Sequence, residues 1–192
     1  MKKSRLYPLV LVAIMSALGT IIYMFFPEIP LVPGVSHLKV DLSDIPALVT
    51  GLTIGPVYGI FVELIKNLVH LTRTTTFGIG EIMNVIIGSF MVCSMWSFTS
   101  LAVRLLGKNK DSSLSYYASS VVTILLTIVA GWVLNAALTP VFFWLAGIPI
   151  TLESVMAGVW GSTLLNAIKC AVTVLPFWPL VRILQKVSKR FC

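Results

Sequence analysis

A chain of 192 residues, 57% of them hydrophobic and only 11% charged, with a mean hydropathy of +0.97, cannot clothe itself in a water-facing surface. Its formal net charge of +7 comes from Lys and Arg gathered at the chain ends and in one loop, without the interleaved aromatic stripe that base stacking requires, so nucleic acid is set aside as a partner and membrane lipid is taken as the solvent. Cys93, Cys170 and Cys192 have neither paired spacing nor histidine neighbours, which argues against a metal site or a disulfide framework.

In lipid every backbone polar group must be bonded within its own element, and long unbroken apolar runs choose helices over a barrel. Lys2-Lys3-Ser4-Arg5 opens the chain, and the run from about Leu6 to Phe26 is longer than a signal-peptide core, so it reads as a retained first span. Ala13 and Ala17 within it make a small-xxx-small spacing that lets two helices approach closely. The following loop, 27–43, is stiffened by Pro27, Pro30 and Pro33 and is the best candidate for a lid.

The run 44–71 contains Gly55-Pro56, a dipeptide that interrupts a helix because proline lacks an amide donor and clashes with the preceding turn. Counted unbroken, the apolar runs number five, and five crossings would put Arg104, Lys108, Lys110, Arg182, Lys186, Lys189 and Arg190 on the opposite side from Lys2, Lys3 and Arg5. Splitting at Gly55-Pro56 restores one side for these ten of the 14 basic residues. The expectation is an all-α integral membrane protein forming a single domain in a bacterial cell membrane, both termini cytoplasmic. Its six transmembrane helices lie at roughly 6–26, 44–54, 56–71, 78–104, 113–145 and 157–187. The fifth run is long enough to bend around Gly131 or Pro140. No P-loop pattern occurs, so ATP-driven work would need separate motor subunits.

Polar side chains at membrane depth are costly and mark candidate function. Glu63, Lys66, Asn67 and His70, spaced by three and four, permit a self-contained ion pair in the third helix and read as structural. Glu81 and Asn84 follow the Thr74-Thr75-Thr76-Phe77-Gly78 turn; Glu81 suits either a pocket or the first turn of its helix, where a carboxylate favours the dipole. Asn135 suits a shared cavity or an interhelical hydrogen bond worth about 1 kcal/mol. Asn166 and Lys169 share a face of the last helix, and the Lys169 cation needs an acceptor: a carboxylate such as Glu81 or Glu63, or the oxygens of a ligand. The five tryptophans read as interface or packing residues, any one of which could stack on a planar ligand. A membrane enzyme would need a His-rich, paired-acid or Ser/His constellation, and none is found.

The stretch His37-Leu38-Lys39-Val40-Asp41-Leu42-Ser43-Asp44-Ile45-Pro46-Ala47-Leu48 resembles the substrate-binding S components of energy-coupling-factor transporters. So do Gly55-Pro56-Val57-Tyr58-Gly59, Ile65-Lys66-Asn67-Leu68, Thr75-Thr76-Phe77-Gly78-Ile79-Gly80-Glu81, and Asn166-Ala167-Ile168-Lys169. The resemblance covers nearly the whole chain and is strongest to the riboflavin-specific members. It implies an outward-facing pocket closed by the loop after the first helix, with ligand contacts from Leu38, Lys39, Asn84, Asn135, Asn166 and Lys169, and Glu81 as a further candidate. It implies riboflavin as the transported ligand, no cofactor, and no enzymatic activity in this chain. It also implies docking of the Ala13/Ala17 face on a transmembrane coupling subunit, driven by two ATPase subunits whose hydrolysis tilts the loaded protein. The loop with Ile148-Pro149-Ile150 departs from the pattern. The rival readings are an S component for another vitamin, such as a flavin analogue, folate, a pyridoxine relative or a corrinoid, and a stand-alone secondary carrier.

Overall fold

The computed structural model describes residues 6–25, 29–30, 39–106 and 113–191. Helix α1, Leu6–Phe25, contains no charged residue. A two-residue strand β1, Ile29–Pro30, pairs antiparallel with β2, Lys39–Val40, and delivers the chain to the turn 41–44. Helix α2, Ile45–Ile54, starts with proline in its first turn, where a missing amide costs nothing, and stops at Gly55, whose φ of 124° few other residues tolerate. Helix α3, Pro56–His70, starts at once with Pro56 in the same favourable place. A 3-10 turn at Leu71–Arg73 and a tight loop lead to α4, Ile79–Leu106.

Helix α5, Ser113–Ala146, runs through Pro140. Helix α6, Leu152–Val174, opens on a capping box in which the Ser154 amide donates to Thr151 Oγ1 at 3.1 Å and the Thr151 amide donates to Ser154 Oγ at 3.0 Å. After Leu175-Pro176-Phe177 the chain forms α7, Trp178–Phe191.

The expectation of six transmembrane helices is overturned. Among the described residues there are seven α-helices, and four of them, α1, α4, α5 and α6, are long and apolar enough to cross a membrane. The physical reason is length and polarity. Helix α2 has 10 residues and α3 has 15, or about 15 and 22 Å at 1.5 Å per residue, against a hydrocarbon core of about 30 Å. Helix α3 also carries Glu63 and Lys66 in its middle, both fully buried in protein. The charge argument demanded only an even number of crossings, and four keeps the basic clusters on one side as well as six does.

Helix α2 is enclosed rather than lipid-facing: every residue from Ile45 to Leu52 is buried, against α1, α3, α4 and α7. The apolar core gathers there, around Leu48, Val49, Val62, Val92, Met95 and Val181. Gly59 lets α3 lie directly on α2, since a Cβ on it would stand 2.7 Å from the Ala47 carbonyl oxygen. The Tyr116 hydroxyl donates to the Val174 carbonyl at 2.6 Å and Gln185 Nε2 to the Leu52 carbonyl at 2.9 Å, tying α5 to α6 and α7 to α2. Large exposed apolar side chains such as Leu9, Ile14, Leu125, Val129 and Leu164 cover the outside of the spanning helices, as a lipid solvent requires.

Candidate functional site

A cavity of about 200 Å³ opens between the ends of α1, α3 and α4 and the facing sides of α5 and α6. Its apolar wall includes Ile79, Met83, Leu138, Phe142, Phe143 and Leu165, and its polar wall includes Asn84, Asn135, Asn166 and Lys169. Helices α5 and α6 approach closely here because of two glycines. A Cβ on Gly131 would lie 3.1 Å from Asn166 Nδ2, and one on Gly158 would lie 2.9 Å from the Thr139 methyl carbon.

Lys169 projects from α6 to the floor of this cavity, where its ammonium meets Asn84 Oδ1 at 2.6 Å and Asp41 Oδ2 and Asp44 Oδ2 at 3.0 Å each. An ammonium has three N–H donors, so these three acceptors use them all. Burial raises the Asp41 carboxyl, but the Lys169 and Lys66 ammoniums outweigh it and hold that group below the usual carboxylate range. From Asn84 the network continues through Nδ2 to Asn67 Oδ1 at 2.9 Å, and Asn67 Nδ2 donates to the Glu63 carbonyl at 2.8 Å. Glu63 Oε2 lies 3.0 Å from Lys66 Nζ, which also donates to Ser43 Oγ at 2.9 Å and to Asp44. Asp44 returns to Lys169, so the polar groups form a closed ring across α6, α4, α3 and the turn before α2.

Glu81 stands at a separate corner of the same cavity. Its Oε1 meets His70 Nδ1 at 2.9 Å, while its Oε2 accepts from Thr74 Oγ1 at 2.9 Å and Thr76 Oγ1 at 3.2 Å. The loop that presents these threonines needs positive φ at Phe77 and Gly78, 55° and 83°. It is locked by the Thr76 and Gly78 amides donating to Thr74 Oγ1. The His70 ring stacks on Tyr23 of α1, with centroids 3.6 Å apart.

Asn135 differs from its neighbours. It is 0% exposed, and neither Nδ2 nor Oδ1 of its amide has a hydrogen-bond partner. A buried amide left in this state carries a full desolvation cost, so it calls for an explanation.

The sequence-derived candidates Glu81, Asn84, Asn135, Asn166 and Lys169 all line this cavity. Leu38 lies outside the described residues, and Lys39 is placed by its backbone in β2. Ala13 and Ala17 lie elsewhere, on an exposed stripe of α1 beside Ile65 and Val69 of α3. The acceptors of Lys169 are neither Glu81 nor Glu63 but Asp41 and Asp44, to which sequence reasoning gave no role. The available signal was two carboxylates three residues apart immediately before a buried apolar helix. His70 and Tyr23 were also missed as cavity residues; His70 read as part of a self-contained pair on α3.

Fold and site together define a multi-pass membrane protein that encloses a small-molecule cavity, partly apolar and partly polar, among its helices. Residues 8–181 match the family model for "ECF transporter, substrate-specific component", and the chain belongs to that family. It is therefore a substrate-binding, non-catalytic S component of a transporter that also comprises coupling and ATPase subunits. Its relatives include the riboflavin transporter RibU of Staphylococcus aureus (strain TCH60), 30% identical over 186 residues covering 95% of this chain and 92% of that one. RibU of Lactococcus lactis subsp. cremoris (strain NZ9000) is 28% identical over 188 residues, 96% and 84% of the two chains. The riboflavin transporter FmnP of Bacillus subtilis (strain 168) is 27% identical over 177 residues, 88% and 87%. Among solved structures, the S component of a bacterial ECF transporter matches with a TM-score of 0.73 at 25% identity, over 97% of this chain and 100% of that one. ThiT from Listeria monocytogenes matches with a TM-score of 0.58 at 21% identity over 97% of each chain, a likeness of fold alone.

Proposed function

We propose that this S component binds riboflavin in an outward-facing cavity and delivers it with a separate coupling subunit and two ATPase subunits. The observation that carries the reading is the unpartnered Asn135 amide in the cavity wall. It offers one donor face and one acceptor face, which complements the imide edge of a flavin ring, where an N–H sits between two carbonyls. The flat ring suits the apolar wall of Met83, Leu138 and Phe142, and the ribityl hydroxyls suit Asn84, Asn166 and Lys169. Lys169 takes a ligand oxygen by exchanging it for one of its three present acceptors. Leu38 and Lys39 keep their role of covering the ligand on the resemblance alone. The names borne by the RibU and FmnP relatives support the same ligand.

Quenching of flavin fluorescence by purified protein tests this directly. Tight riboflavin binding is expected, weakened roughly tenfold or more by Lys169→Ala through loss of a charged hydrogen bond. Protein purified from riboflavin-containing medium is expected to be yellow. Tight binding of another vitamin with none of riboflavin overturns the reading.

A further inference from the structure

Helix α7 takes no part in the cavity, and its composition differs from that of every other helix. It follows Pro176, which supplies no amide donor with which to prolong α6. Its 14 residues reach about 21 Å at 1.5 Å per residue and include Arg182, Lys186, Lys189 and Arg190, so it is both too short and too charged to be a span. Helix α2 starts beside Asp44 at the cavity floor and runs away from it. Gln185 Nε2 holds α7 to the far end of α2, donating to the Leu52 carbonyl at 2.9 Å.

At 3.6 residues per turn, α7 divides into three sides. Trp178, Val181 and Ser188 are buried against the protein, with Gln185 half-buried among them. Leu180, Ile183 and Val187, spaced by three and four, form an exposed apolar stripe. Between stripe and protein, on the remaining side, Arg182 and Lys186 are exposed one turn apart. No Asp or Glu follows Glu153 in the chain, and the ion pairs among the described residues belong to Lys66, His70 and Lys169. The two charges of α7 are therefore unanswered within the described fold.

We propose that α7 lies in the membrane interface remote from the cavity and binds the headgroup of an anionic phospholipid through Arg182 and Lys186, with Leu180, Ile183 and Val187 seated among its acyl chains. A basic side flanking an apolar one is the pattern of a helix lying in the headgroup region, where long basic side chains reach phosphate while the stripe stays in hydrocarbon. A protein partner fits less well, because charged residues, lysine above all, are depleted from the centres of protein interfaces. The groove beside Ala13 and Ala17 contains no residue of α7, so the two surfaces are separate. The inference holds whichever vitamin the cavity takes.

Intact-mass measurement of lipid-bound full chain released from a neutral detergent gives dissociation constants for phosphatidylglycerol and phosphatidylcholine of equal chain length. The wild-type chain is expected to hold phosphatidylglycerol about tenfold more tightly, from two basic side chains near one anionic headgroup. Arg182→Gln with Lys186→Gln is expected to bring that ratio to about twofold or less, while Arg104→Gln, at the end of α4, keeps most of it. Lys186→Gln alone serves if the pair fails to fold, and is expected to lower the ratio about threefold. Glycerol phosphate, the headgroup without its chains, is expected not to compete; competition would mean a site for free anions and overturn the lipid assignment. Equal binding of the two lipids by the wild-type chain overturns the proposal, as does a ratio unchanged by the α7 substitutions. If that unchanged ratio comes with loss of co-purifying coupling or ATPase subunits, the basic side of α7 belongs to a protein partner instead.

Discussion

Asn135 presents a trade between stability and binding within one side chain. Its amide is desolvated by the fold and given nothing in return, a cost of about 1–3 kcal/mol. Asn135→Leu, close in size, is expected to raise the stability of the ligand-free protein by about 1 kcal/mol or more and to weaken riboflavin binding roughly tenfold or more. Thermal melting in detergent and fluorescence titration read the two effects separately; unchanged affinity would remove Asn135 from the site. Lys66 behaves in the opposite way. It is 0% exposed and answers Glu63 and Asp44, so Lys66→Met takes the cation from Glu63, whose carboxyl burial already pushes up to about 8, and leaves Asp44 to Lys169 alone. Breaking one partner of a buried ion pair costs about 3–5 kcal/mol, and the expected result is loss of folded, monodisperse protein in size-exclusion chromatography.

At the scale of elements, the break between α2 and α3 was legible because Gly55-Pro56 states it in covalent terms: no donor at 56, a left-handed requirement at 55. That neither half spans the membrane was already implied by length, since 44–54 and 56–71 at about 1.5 Å per residue fall short of a hydrocarbon core of about 30 Å, but what surrounds them was not legible. Hydropathy cannot distinguish an apolar helix wrapped in lipid from one wrapped in protein, and α2 is the second kind. The polar residues of the cavity wall were legible for the converse reason, since an Asn or Lys inside an apolar run is conspicuous wherever it points. Asp41 and Asp44 were hidden because they sit before a helix, where carboxylates occur for local reasons, and only the fold brings them to Lys169 from over 120 residues away in the chain. The packing of α2 on α3 hangs on Gly59. Its missing Cβ would face the Ala47 carbonyl oxygen at 2.7 Å and the Gly51 Cα at 3.0 Å, both backbone atoms that cannot rotate away. Gly59→Ala is therefore expected to destabilise the protein by about 1–3 kcal/mol, read as a lowered midpoint of thermal unfolding. Gly131→Ala meets only the movable Asn166 amide at 3.1 Å, so the same added methyl group is expected to disturb ligand affinity more than stability.

For the molecule as a whole, the sides of α1 serve different neighbours. Gly19 lies against the Ser43 carbonyl oxygen and the Lys66 stem, and Tyr23 reaches the cavity through its stack on His70. Ala13 and Ala17 face outward beside Ile65 and Val69, where small side chains leave a shallow groove between α1 and α3. Lipid gains nothing from such a groove, whereas another helix can lie in it at close range and collect dispersion contacts along its length. This is the face proposed to dock on the coupling subunit. It is distinct from the cavity wall, since none of the groove residues lines the cavity. Ala13→Trp fills the groove without touching the ligand, so riboflavin affinity of the isolated chain is expected to stay as in the wild type while co-purification with the coupling subunit is lost. Assembly that survives the substitution would place the docking face elsewhere. Loss of ligand binding along with assembly would mean that the groove and the cavity are coupled through α1, with Gly19 and Tyr23 as the contacts that carry the strain.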